Sequence, residues 1–267
     1  MRLRLLALYP LVYAALYLAV AGALDGGAVD RFIVGQRIVL RVLAIVGCFA
    51  AASAFEAADR LRRAWIWMGV GTVVILVRDV VRLFPPFSGT PVGGPEAFLN
   101  GLGILSNIAL LVAIWMLARA WRLVTLDVPG GRTGMVLIVL ITAAVALAVA
   151  GPGALQATKA VLDGHWDYLV IMVSALVDIV SLCLITPLLL TAVALRGGLF
   201  FWPWALITAS RLVWILYDAA AVVAPSNSLL PDLFRGLAQN YVCVAGLAQL
   251  LVVQHVRSRT RAGRAGS

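Results

Sequence analysis

The sequence predicts an all-α polytopic membrane bundle of about eight transmembrane helices. Three observations carry that prediction. Of the 267 residues, 63% are hydrophobic and only 12% charged, whereas a soluble domain has about half and about a quarter. The mean hydropathy is +1.02. Apolar runs of about 20 residues recur along the whole chain, the length that crosses a hydrocarbon core of about 30 Å. The runs are continuous rather than alternating, which argues against a β-barrel.

The first run covers roughly 5–24. It follows Arg2 and Arg4, and "AGA" near its end resembles a cleavage site. Its apolar core is longer than a signal peptide's, so it reads as a retained span. The next spans fall at roughly 32–54, 64–84, 98–120, 134–152, 168–195, 199–223 and 234–255. Turn-forming stretches separate them: "LDGG", "FPPFSGTPVGGPE", "VPGGRTG", "LRGG" and "APSNSLLPD". The whole of 1–256 is expected to be a single transmembrane domain. Residues 257–267, "RSRTRAGRAGS", are expected to be a disordered basic cytoplasmic tail beside anionic lipid.

Charge predicts orientation. Arg2, Arg4, Arg60, Arg62, Arg63, Arg119, Arg122, Arg132, Arg196, Arg257, Arg259, Arg261 and Arg264 all fall on one side of this arrangement. The other side holds Arg31 and Lys159, with Arg235 at a helix mouth. The positive-inside rule then puts both termini in the cytoplasm and the protein in the plasma membrane, the inner membrane of a bacterium. The net charge of +9 is explained in the same way. No aromatic-and-basic pattern supports nucleic acid as a partner.

The spans can be laid over themselves as two parallel units, 1–125 and 132–256. "AVAG" at 19–22 recurs at 148–151, and Asp30 and Asp167 each open a second span. Trp65 and Trp204 open the third spans, and Asp79 and Asp218 sit equally far along them.

Polar residues inside the spans mark the candidate site. Span two carries Arg37 and Arg41, and span three Arg78, Asp79 and Arg82. Asn100, Gly103 and Asn107 form a stripe on span four, and Ser174, Asp178 and Ser181 another on span six. Span seven aligns Arg211, Trp214 and Asp218, and span eight begins with Arg235, Gln239 and Asn240. A rise of about 1.5 Å per residue puts Arg41, Asp178 and Arg211 roughly 13 to 18 Å below the outer mouth. Arg78, Asp79, Asp218 and Gln239 come out at about 8 to 10 Å. Ligand-binding residues are therefore expected to be Arg41, Arg78, Asp79, Asn107, Asp178, Arg211, Trp214, Asp218, Gln239 and Asn240, around an outward-facing pocket. The expected ion pairs are Arg41 with Asp178, Arg211 with Asp218, and Asp79 with Arg82. Arg37, Arg82 and Arg235 lie near enough to the interface to snorkel.

Several chemistries are excluded or demoted. No span contains a lysine, and His165 and His255 lie at opposite membrane edges. That removes a retinal Schiff base and paired-histidine haem; no metal and no cofactor is expected. "DGHWDY", with Asp163, His165 and Asp167, reads as a solvated loop. Nucleophile-elbow, P-loop and H-E-x-x-H motifs are missing. Cys48, Cys183 and Cys243 lie within apolar runs and read as small buried hydrophobes rather than a disulfide framework. Trp65, Trp67, Trp121, Trp166, Trp202 and Trp204 read as interfacial, and Pro187 as a kink in span six.

The sequence thus points to a lipid-embedded protein that binds or transports a small anionic or amphipathic solute or a lipid headgroup. Its abundant small residues also suit a homo-oligomer or another membrane partner. Two other classes remain open: a sensor or scaffold signalling through basic cytoplasmic loops, and an intramembrane lipid-modifying enzyme with an aspartate as acid or base. A closed, fully ion-paired core would favour the scaffold. A solvated vestibule would favour binding, and a lateral slot with an unpaired aspartate would favour the enzyme.

Overall fold

The computed structural model describes residues 2–88, 93–121, 131–194, 198–223 and 229–265. Arg122, Arg196 and the side chains of Arg2, Arg4, Trp121, Arg132, Pro187, Arg261 and Arg264 lie outside what is described. Eight α-helices run through it: α1 (Arg2–Ala23), α2 (Gly27–Ser53), α3 (Arg60–Val81), α4 (Gly94–Trp121), α5 (Gly131–Leu162), α6 (Leu169–Ala194), α7 (Phe201–Val223) and α8 (Leu229–Ala265). A 3-10 turn, Trp166–Tyr168, precedes α6. All of these helices except α7 contain a described stretch long and apolar enough to cross a bilayer. The protein is a multi-pass membrane helix bundle.

Six helices form a closed ring. In order, α2, α3, α4, α6, α7 and α8 each touch the next, and α8 returns to α2. Outside the ring, α1 rests on α8, and α5 rests on α6 and α7. The apolar stretch of α8 is 67% buried against 11% for α5, so α8 is the enclosed wall and α5 the exposed one. Leu137, Leu140, Leu147 and Leu155 on α5 all point outward, as lipid-facing residues do.

Lipid tails are as apolar as leucine, so such a bundle is held by close packing of small residues rather than by a drive to leave water. The core is accordingly rich in alanine: Ala44, Ala51, Ala64, Ala113, Ala245 and Ala248 are completely buried. The tightest seam joins α2 to α8. A Cβ on Gly47 would come within 2.6 Å of the Cys243 carbonyl oxygen, and one on Gly246 would overlap the Gly47 carbonyl. Between α3 and α4, the Ser106 hydroxyl donates to the Gly71 carbonyl at 2.8 Å. Cys48 and Cys243 are buried free thiols, and Cys183 is also unbridged.

Three features differ from the sequence expectation. Helix α5 continues well past position 152 to Leu162. Pro152 removes one backbone donor, but Ala154, Leu155, Gln156, Ala157 and Lys159 are strong helix formers and propagate the helix. Helix α8 likewise runs through the basic segment to Ala265 instead of ending in a disordered tail; arginine and alanine sustain it. Trp65 does not face out of the bundle as an aromatic-belt residue would: it is fully buried in the core cluster with Met68 and Leu117. Trp67 and Trp166 are exposed as expected.

Overpacking a close backbone crossing costs about 1–3 kcal/mol. Gly246→Ala is therefore expected to lower the unfolding midpoint in detergent, whereas Gly22→Ala, which has open space around it, should leave it unchanged or slightly raised. Thermal unfolding of both variants followed by circular dichroism checks this.

Candidate functional site: an arginine-rich cavity inside the ring

The ring encloses a cavity of about 160 Å³. Arg37 and Arg41, one turn apart on α2, reach it from one wall. The end of α3 supplies Arg78, Asp79 and Arg82, and α4 supplies Ser106 and Asn107 across the small Gly103. Asp178 comes from α6, Arg211 and Trp214 from α7, and Arg235 and Gln239 from the start of α8. The lining thus holds six arginines against two aspartates. Asp232 stands beside two of the arginines.

The ion pairs connect neighbouring helices. Arg41 Nε lies 2.7 Å from Asp79 Oδ2, joining α2 to α3. The approach is an ionic contact rather than an aligned hydrogen bond, since neither atom has a hydrogen-bond partner. Arg211 Nη1 faces Asp178 Oδ1 at a looser 3.8 Å, joining α7 to α6. Asp232 accepts from Arg37 at 2.8 Å and from Arg235 at 2.9 Å, tying α8 to α2. The second amino group of Arg235 donates to the Tyr217 hydroxyl at 2.7 Å. Its guanidinium also lies over that ring, 4.9 Å from the centroid.

These contacts overturn the three pairings expected from sequence. Arg41 and Asp178 do not meet; each finds a partner on the adjacent helix of its own half. Arg211 pairs with Asp178 and not with Asp218, and Asp79 pairs with Arg41 and not with Arg82. Arg37 and Arg235 do not merely snorkel but line the cavity through Asp232. Trp214 meets Tyr217 edge-on at 5.3 Å.

Of the ten candidate residues, Arg41, Arg78, Asp79, Asn107, Asp178, Arg211, Trp214 and Gln239 line this cavity. Asn240 does not: its side-chain amide donates to the Gly236 carbonyl at 3.0 Å within α8. Asp218 lines a second cavity of about 310 Å³, between α5, α6 and α7. The two cavities share Arg78, Val170, Ser174 and Tyr217 as lining. Sequence reasoning misses Asp232, because it stands in the turn-like "SLLPD". Its three-residue spacing from Arg235 is the signal that could have found it.

Arg78 differs from the arginines around it. Its Nε is sealed from solvent and lacks a hydrogen-bond partner, and no carboxylate among the described residues lies within ion-pair distance. The guanidinium carbon lies close to Gly103, where an added Cβ would stand 3.8 Å away. Arg82, also without an ion pair among the described residues, is exposed at the cavity rim.

Removing one partner of a buried ion pair costs about 3–5 kcal/mol, because the other charge is left unpaired. Asp79→Asn should therefore destabilise strongly, and Arg41→Gln/Asp79→Asn together should cost less than the sum of the single changes. A double-mutant cycle on unfolding free energy reads the coupling; strict additivity would count against the pair. Comparison of the chain with protein-family models, curated proteins and solved structures finds no match.

Proposed function

We propose that the bundle is a receptor or carrier that binds the anionic group of a small or amphipathic solute in the ring cavity. One observation carries the reading. Within the ring, Arg78 presents a guanidinium with no acidic partner among the described residues, in a cavity whose lining already has more arginines than aspartates. A charged arginine costs about 2.5–3.5 kcal/mol at a helix centre on insertion scales, and Arg78, in the last turn of α3, carries a smaller part of that cost. A carboxylate or phosphate would neutralise it, and the planar guanidinium suits bidentate contact with either. The 160 Å³ space corresponds to about five water volumes at about 30 Å³ each, enough for one such group.

The charge distribution supports an outward-facing cavity with cytoplasmic termini in a plasma membrane. Arg60 and Arg63 stand exposed at the opposite end of α3 from Arg78, and Arg257 and Arg259 at the opposite end of α8 from Arg235. The ring order supports the six ring helices as the shared part of two units, 1–125 and 132–256: α2–α3–α4 and α6–α7–α8 are each consecutive, closed by α4–α6 and α8–α2, while α1 and α5 pack on different helices of the ring. A second reading, an enzyme acting on a membrane amphiphile with Asp218 as acid or base, draws on the unpartnered Oδ2 of Asp218 in the side cavity.

Ligand binding to the folded state raises stability by RT ln(1 + [L]/Kd). Phosphate or acetate, added at constant ionic strength, should raise the unfolding midpoint of the wild-type protein. Arg78→Gln should abolish that shift while leaving the ligand-free midpoint unchanged or higher, because no carboxylate is stranded. Equal shifts in the two proteins would overturn the reading. Turnover of an amphiphile that is lost in Asp218→Asn would favour the enzyme.

A further inference from the structure

The geometry points to a zwitterionic amphiphile as the ligand: anion at Arg78, ammonium at Asp218, apolar chain between α5 and α6. This inference rests on the anion-binding reading above and extends it to a ligand class.

The side cavity carries the argument. Its wall on α5 is Val149, Ala150, Gly153 and Ala154, and its wall on α6 includes Val170 and Ile171. On each helix these are adjacent positions repeated one turn later, so two small or aliphatic faces oppose each other. Ile171 is half exposed on the lipid-facing surface, which gives a chain a way in from the bilayer. The ring cavity alone falls below the roughly 300–1,000 Å³ typical of ligand sites. The adjoining side cavity, at about 310 Å³, brings the combined space into that range.

Two ionisable side chains, Arg78 and Asp218, border this apolar space. The Arg78 Nε and the Asp218 Oδ2 are both sealed and unpartnered, and both residues line the side cavity. They form no ion pair with each other. An anion alone would satisfy Arg78 and leave a carboxylate beside its own negative charge. A ligand that carries an ammonium as well as an anion satisfies both. The Tyr217 hydroxyl accepts from Arg235, and no donor among the described residues reaches the Asp218 Oδ2.

The test is binding to the full-length protein in uncharged maltoside micelles, read as thermal shift against concentration. Lysophosphatidylethanolamine and 2-aminohexadecanoic acid carry anion, ammonium and chain, on phosphate and carboxylate respectively. At least one should bind about tenfold more tightly than its ammonium-free counterpart, lysophosphatidic acid or palmitate, the effect of one charge-assisted contact. Chain-free phosphoethanolamine and glycine should bind far more weakly than either. Asp218→Asn should erase the preference for the ammonium while keeping the Arg78-dependent anion shift. Ala154→Leu and Val149→Phe, which fill the side cavity, should erase the benefit of the chain. If a variant fails to fold, the wild-type comparisons still decide. Equal binding with and without the ammonium, or with and without the chain, overturns the inference and leaves the anion pocket standing. If no anion distinguishes wild type from Arg78→Gln, the pocket reading falls and this one falls with it.

Discussion

A guanidinium cannot be left bare inside a bilayer, and six of them share one cavity here. That constraint organises the bundle. Lipid offers an arginine no water, so each must find a carboxylate, reach the interface or wait for an anion. Arg41 and Arg211 find aspartates on adjacent helices, and Arg37 and Arg235 share Asp232. Arg82 stands at the rim. Arg78 has only the cavity. The ion pairs are therefore fasteners between ring helices, and among the described residues they leave Arg78 and Arg82 outside them.

Packing makes the arrangement possible. The Gly47–Gly246 crossing brings α2 against α8, which puts Arg37 within reach of Asp232. The Ser106–Gly71 hydrogen bond draws α4 against α3 one to two turns below Arg78. Gly103 leaves room for Val170 of α6, whose Cγ2 an added Cβ would meet at 2.7 Å. Small residues do this in a membrane because packing, not escape from water, holds the helices together. On the far side of α6, the short side chains of Ala150, Gly153 and Ala154 leave unfilled space that forms the side cavity.

Much of the fold is legible in the sequence because bilayer thickness fixes the length of an apolar run. Eight runs predict the eight helices, and turn-forming residues locate the breaks between them. The helix ends are less legible: Pro152 and the arginines after 256 look like stops, yet neighbouring helix formers carry α5 and α8 through them. Polar residues such as Arg41, Asp178 and Arg211 stand out against an apolar background, so membership of the polar set can be read directly. Their partners cannot. Pairing depends on which helices are neighbours and how each is rotated, and apolar runs carry neither. That is why Arg41 is expected on Asp178 but meets Asp79, and why Trp65 looks interfacial but lies in the core. Asp232 escapes notice because Pro231 before it reads as the end of a loop rather than the first turn of a helix.

We propose that Arg78 receives a ligand's anion rather than serving as a structural cation. An experimental density map of protein extracted gently from its own membrane tests this. Non-protein density is expected against the Arg78 guanidinium, continuing between α5 and α6. A map in which Arg78 instead closes onto a protein carboxylate, with nothing else beside it, would overturn the proposal.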